Sequence, residues 1–199
     1  MTVFSHDQLT EFRQMWMRDS AQSLVGPASI DLRLWEIRRE SPGSAGFYTS
    51  VALSREGERL SRVRPKGMFC LEVEEGDFWH IDPGEFVLAS TAETVRVPDD
   101  VIVTVHGKST VARCGLQVHS AGLIDPGFCG QITLEMFNMG RRAIVVSRGD
   151  LICQITVQRL EESTSIPYSL VGQYGNQTGP RIPGYVGNTL EGIAPKESK

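Results

Sequence analysis

The residues with chemistry to offer fall in three places. In QITLEMFN (Gln131 to Asn138) a single carboxylate, Glu135, sits in the middle of a strand-like run. Alternation puts Gln131, Thr133, Glu135 and Phe137 on one face and Ile132, Leu134 and Met136 on the other. On the solvent side such a glutamate is ordinary. Facing a pocket and held out of water, it can take and return protons near neutral pH. The pattern alone allows both. Upstream, Gly107-Lys108-Ser109-Thr110 and Arg113 gather cations and hydroxyls just after a strand. Such a cluster suits phosphate oxygens through charge-assisted hydrogen bonds, and it equally suits a plain polar turn. It is not a P-loop, which needs a glycine where Ile102 stands and a long helix afterwards. Between these two places, Asp125-Pro126-Gly127 is a turn former whose carboxylate is also available to a ligand.

Other polar residues decide less. His106 and His119 end two strands, but no third ligand is spaced to complete a metal site, so structural histidines are expected. Gln154 reads as a hydrogen-bonding strand residue. Tyr168, Tyr174 and Gln177 lie near the C-terminal end, and their chemistry alone assigns them nothing.

The elements that must position these groups are mostly strands. Ser5 to Arg18 reads as one amphipathic helix, with Ser5 and Gln8 as a capping box and Leu9, Phe12 and Trp16 at helical spacing. After it, short apolar runs alternate with turn signals. They are 29–34, 68–73, 86–90, 93–97, 101–106, 116–119, 131–138, 143–147 and 151–158, with a weak strand at 46–53. That spacing argues for an all-β sandwich or barrel. The stretch from Gly172 to Lys199 is rich in Gly, Pro and Asn and reads as a tail rather than core, of a kind that can close over a site.

Composition sets the outer bounds. The chain has 199 residues, 40% of them hydrophobic and 22% charged, with a net charge of -4. This is ordinary globular usage, and it argues against a dedicated nucleic-acid binder. No apolar run reaches the ~18 residues a bilayer span needs. The N-terminus lacks a basic region and an apolar core, so the expectation is a cytoplasmic protein with no membrane partner. Four cysteines, with no CxxC pair, read as buried reduced thiols.

Four segments in order, GPASIDLRL, PGEFVLASTAETVRVP, GKSTVARCGLQVH and AGLIDPGFCGQITLE, resemble the dCTP deaminase family of the trimeric dUTPase-like superfamily. The resemblance runs from about Gly26 to Pro180, apart from a variable stretch after Trp35. It implies a mainly β, distorted β-barrel or jelly-roll-like fold with one N-terminal helix and a C-terminal tail. It also implies a homotrimer with active sites at the subunit interfaces. The expected division is a single nucleotide-binding domain over residues 1–180 and a flexible tail over 181–199.

Site roles follow from the same resemblance. Glu135 matches the catalytic glutamate, which would move protons between water, N3 and the leaving ammonia. Ser109 and the carbonyl of Ala121 would position the water, and Arg113 would line the pocket. Lys108, Ser109 and Thr110 would grip phosphates, and Asp125 would meet the 3′-hydroxyl. Thr133 and Leu134 would meet the base through their backbones. Tyr168 and Gln177 would reach the triphosphate from the closing tail. A triphosphate-binding lysine of the family aligns with Gln173, and Arg181 is the nearby cation that would stand in for it. Mg2+ would enter with the triphosphate. Zinc is not expected, because the HxE and PCxxC signatures of zinc deaminases do not occur here.

The expected reaction is therefore hydrolysis of dCTP to dUTP and ammonia in pyrimidine deoxynucleotide metabolism. The first alternative is a bifunctional enzyme that continues to dUMP. AGLIDPGF, ITLE and Gly179-Pro180 lean that way, while Ala112 and Asn176-Gln177 lean toward deamination alone. The second alternative is a non-catalytic nucleotide-sensing trimer. A dUTPase alone is disfavoured, because dUTPases carry an apolar residue where Glu135 stands. dUTP and dTTP are further expected ligands.

Overall fold

Strands with a period of two and few helices produce a sheet that must bury one face, and here it curls. The computed structural model describes residues 2–18, 24–40, 71–73, 76–118, 121–172 and 174–181. In chain order the elements are β1 (Thr2–Val3), α1 (His6–Trp16), β2 (Met17–Arg18), β3 (Ile30–Glu40), β4 (Leu71–Val73) and β5 (Phe78–Ile81). Then come β6 (Phe86–Arg96), β7 (Val101–Gly107), α2 (Ser109–Arg113), β8 (Leu116–Val118) and β9 (Leu123–Ile124). The last are β10 (Cys129–Asn138), β11 (Ile144–Ser147), β12 (Leu151–Arg159) and α3 (Tyr168–Val171). The main sheet runs β8-β10-β6-β3-β12-β7-β9, and β5 pairs with β11 in a separate ribbon. This is the expected mainly β architecture, a sheet curled into a half-barrel.

The alternation seen in sequence explains the core. On β7, Val101, Val103 and Val105 point inward; on β12, Ile155 and Val157 meet Val105 and Val103 across the ladder, and Cys153, opposite Gly107, is buried with them. Cys153 is fully buried, and burial pushes its thiol far above the ordinary range, with Glu93 and Asp31 adding to the effect. Cys114 is exposed and Cys129 only half-buried, so the expectation of buried thiols holds at Cys153 alone among the described cysteines; Cys70 lies outside the described residues. Helix α1 buries Leu9 and Phe12, with Phe12 edge-on to Phe4 at 6.3 Å. Gln8 Oε1 accepts the Ser5 N–H at 3.0 Å, closing the first turn. Among the described residues no helix is long and apolar enough to cross a membrane.

Several elements differ from expectation. The runs 86–90 and 93–97 are one strand, β6, buried along nearly its whole length. It needs no alternation, because both of its faces are covered. β5 was not anticipated. It has four residues, and its partner β11 lies more than sixty positions later. The weak strand at 46–53 lies outside the described residues.

Candidate active site

The floor of the site is the face of β10 that carries Thr133 and Glu135. Leu134 and Met136 are fully buried in the core, which turns Thr133 and Glu135 to the other side, both half-buried. Glu135 pairs across the ladder with Leu88 of β6, and Thr133 with Ser90. Over this floor opens a cleft of about 810 Å³. One wall holds Ala121, Leu123 and Asp125; Tyr168, Tyr174, Gln177 and Arg181 form another; Arg39 and Glu85 stand at the β3–β6 side. A volume of this order accommodates a small organic ligand.

The wall at Asp125 is clamped. Gly127 N–H donates to the Val97 carbonyl at 2.9 Å, and Tyr168 N–H to the Pro126 carbonyl at 2.7 Å. The Tyr168 ring stands edge-on to Phe128 at 5.7 Å, and its hydroxyl accepts the Tyr174 N–H at 3.1 Å. Gly127 has φ 83°, and a Cβ there would lie 2.6 Å from Pro167 Cβ and 2.9 Å from the Tyr168 nitrogen. Gly84 has a similar φ of 78° but open space around it. Gly127→Ala is therefore expected to cost about 2 kcal/mol, a fall in melting temperature of roughly 4–8 °C. Gly84→Ala, which carries the backbone strain without the clash, should cost clearly less. Thermal unfolding of both variants checks this; equal losses would remove the clamp from the account.

The second wall is the C-terminal segment, laid along β10. Asn176 N–H donates to the Cys129 carbonyl at 2.6 Å and Gln131 N–H to the Gln177 carbonyl at 3.0 Å. Gly179 N–H donates to Gln131 Oε1 at 2.6 Å. Gln177 Nε2 donates to the Gln131 carbonyl at 2.5 Å and to Thr133 Oγ1 at 3.3 Å, and Arg181 N–H donates to the same Oγ1 at 3.1 Å. Gly130, at φ 149°, lets Gln177 come this close, since a Cβ would meet its backbone at 2.9 Å. Composition alone reads residues 174–181 as tail, whereas the expected domain boundary at residue 180 keeps all of them but Arg181 inside; in the structure they are built into the fold. Their backbone groups and the Gln177 side chain pair with β10 instead of with water.

The expected site residues separate into groups. Glu135, Ala121, Asp125, Thr133, Tyr168 and Gln177 converge on the cleft. Both N–H groups of the Gln177 amide are spent on β10, so they are not turned toward a ligand. The Leu134 side chain is in the core. Ser109, Thr110 and Arg113 are exposed on α2 and do not line the cleft of their own chain. Lys108, which precedes α2, pairs with Asp31 at 2.5 Å rather than projecting freely toward a phosphate. Gln173 and His119 lie outside the described residues. His106 is exposed, with Nε2 3.0 Å from Thr156 Oγ1.

Arg39 and Glu85 were missed. Arg39 Nη1 donates to Glu85 Oε1 at 2.9 Å, and Nη2 to the His80 carbonyl at 2.7 Å. In sequence Arg39 falls in an irregular stretch mixing Gly, Ser and charges, beyond the expected strand 29–34. Glu85 closes the Asp-Pro-Gly-Glu turn, accepting the Asp82 N–H at 2.7 Å. The one available signal was its position immediately before a strand.

A family model described as dCTP deaminase-like matches residues 5–160. The chain is 38% identical over 165 residues to a protein of Dictyoglomus thermophilum named "dCTP deaminase, dUMP-forming", covering 81% of each. It is 43% identical over 166 residues to one of Natronomonas pharaonis named "dCTP deaminase", covering 82% of each. Among solved structures it is similar to a 2'-deoxycytidine 5'-triphosphate deaminase from Agrobacterium tumefaciens, with a TM-score of 0.59 at 20% identity. That likeness covers 79% of this chain and 48% of the longer neighbour, and it concerns the fold.

Proposed function

The chain belongs to the dCTP deaminase-like family, and from that premise we propose that it hydrolyses dCTP to ammonia and dUTP and carries the dUTP on to dUMP and pyrophosphate. The sequence put dUTP first as end product and dUMP second. The names of relatives at 38% identity favour the second. The observation that carries the deaminase reading is Glu135, half-buried on the floor of a cleft between a clamped turn and a docked C-terminal segment.

In this reading the cytosine edge lies against β10. Water bound between the Glu135 carboxylate and the Ala121 carbonyl adds to C4, and its proton passes through Glu135 to N3. The proton of the new C4 hydroxyl then travels by the same carboxylate to N4. The C4–N4 bond breaks, ammonia leaves and the 4-oxo group forms. A second water cleaves the bond between the α- and β-phosphates of dUTP, releasing pyrophosphate. Asp125 takes the 3′-hydroxyl, and Arg181, at the end of the docked segment, is a cation on that wall.

Ser109, Thr110 and Arg113 enter from a neighbouring copy in a homotrimer. Their exposure on α2 supports this, as do Phe86, Leu123 and Phe137, large apolar side chains left exposed on or beside the cleft. Mg2+ arrives with the triphosphate as part of the substrate. Among the described residues no three His, Cys, Asp or Glu gather into a cage of the chain's own.

Incubation with dCTP and Mg2+, with ammonia, dUTP, dUMP and pyrophosphate resolved over time, tests the proposal. Equal yields of ammonia, dUMP and pyrophosphate are expected. Ammonia with accumulating dUTP would leave deamination alone. Binding of dCTP, dUTP or dTTP without turnover would favour the nucleotide sensor instead.

A further inference from the structure

A threonine hydroxyl has one proton to give and two lone pairs to accept with. At Thr133 both acceptor positions are taken, by the Arg181 N–H and by Gln177 Nε2. Neither donor can reverse its role. A backbone N–H only donates, and the Gln177 amide is fixed in orientation because its nitrogen faces the Gln131 carbonyl, which only accepts. What remains to Thr133 is its own O–H proton. Among the described residues that proton has no protein acceptor. The side chain lines the cleft on the same face as Glu135, two strand positions away, a spacing of about 6.6–6.8 Å.

We infer that Thr133 is a specificity residue, held by the C-terminal segment as a pure hydrogen-bond donor to the O2 carbonyl of the pyrimidine ring. This rests on the proposed function. With Glu135 working at N3 and C4, the next group along the same edge of the ring is O2. The choice also fits a site that must hold both base forms. Deamination turns the N4 amino donor into the O4 acceptor and the N3 acceptor into an N–H donor. O2 is an acceptor before and after. A donor that cannot become an acceptor therefore serves cytosine and uracil equally, and the docked segment is what makes it so.

The test compares wild type, Thr133→Val and Thr133→Ser on dCTP, dUTP and 2-thio-dCTP, whose sulfur is a weak acceptor. Thr133→Val should lower kcat/KM for dCTP and dUTP in parallel, by about tenfold, and Thr133→Ser should restore most of it. Loosening of the segment could by itself slow Thr133→Val, so the decisive readout is the preference for oxygen over sulfur at position 2. Wild type and Thr133→Ser should show that preference, and Thr133→Val should lose it. An unchanged preference in Thr133→Val, or a loss confined to dCTP, overturns the inference while leaving the deaminase reading standing. If wild type turns over neither dCTP nor dUTP, the functional reading fails. The same oxygen-to-sulfur comparison, read as dissociation constants, then decides the role of Thr133.

Discussion

Glu135→Gln should release ammonia from dCTP about 10²–10⁴ times more slowly than wild type, each factor of ten being about 1.4 kcal/mol of barrier. Glutamine keeps the shape and the hydrogen-bonding reach of the side chain but cannot take a proton from water. The chain should still fold, because the residue is half-buried at the cleft and not part of the packed face made by Leu134 and Met136. Pyrophosphate release from dUTP supplies the internal control. That step breaks a phosphoanhydride bond and needs no proton relay at C4. It should survive in Glu135→Gln within about tenfold. Loss of both reactions, with an unchanged melting temperature, would mean that Glu135 holds the nucleotide and does not do the proton chemistry. Undiminished ammonia release would remove Glu135 from the mechanism altogether.

The face of β10 was legible because its neighbours are unambiguous. Leu134 and Met136 can only go inward, so a period of two sends Thr133 and Glu135 the other way. The turn at Asp125 was legible for the same local reason, since Asp-Pro-Gly carries its own geometry. Where the structure departs, the cause lies outside the local sequence. Thr91 and Ala92 read as a break between two strands because the alternation lapses there. The strand runs through them, and the ladder with β10 shifts register at this point, where Thr91 Oγ1 accepts the Ile132 N–H at 2.9 Å. Trp35 sits at a second shift, between Leu34 and Glu36, and turns outward under Arg148, whose guanidinium lies 4.5 Å from its ring. Residues 174–181 have the composition of a solvated tail. Their docking depends on Gln131, Thr133 and Gly130, more than forty positions earlier, and composition cannot reveal such a pairing. Nor can one chain's sequence show that α2 and the cleft, each complete as a local structure, fail to meet within one subunit.

That separation yields the second large effect. Arg113→Ala should lower ammonia release about 10²–10³-fold, the range for removal of one fixed group that stabilises charge, although Arg113 lines no part of its own chain's cleft. The cause would be the loss of its side chain from the neighbour's site. Mixing makes this decisive. In a closed ring of three, each interface sets one subunit's cleft against the next subunit's α2. If Glu135→Gln and Arg113→Ala subunits are unfolded, combined in equal amounts and refolded, some interfaces join an intact cleft from an Arg113→Ala chain to an intact α2 from a Glu135→Gln chain. Random assembly makes that about one interface in four, so roughly a quarter of wild-type activity should return from two nearly inactive parents. Were both residues drawn from a single subunit, every site in the mixture would carry one lesion and nothing would return. Absence of recovery, in a mixture shown by native mass spectrometry to contain mixed assemblies, would therefore place Arg113 and Glu135 in the same chain's site and rule out the shared one.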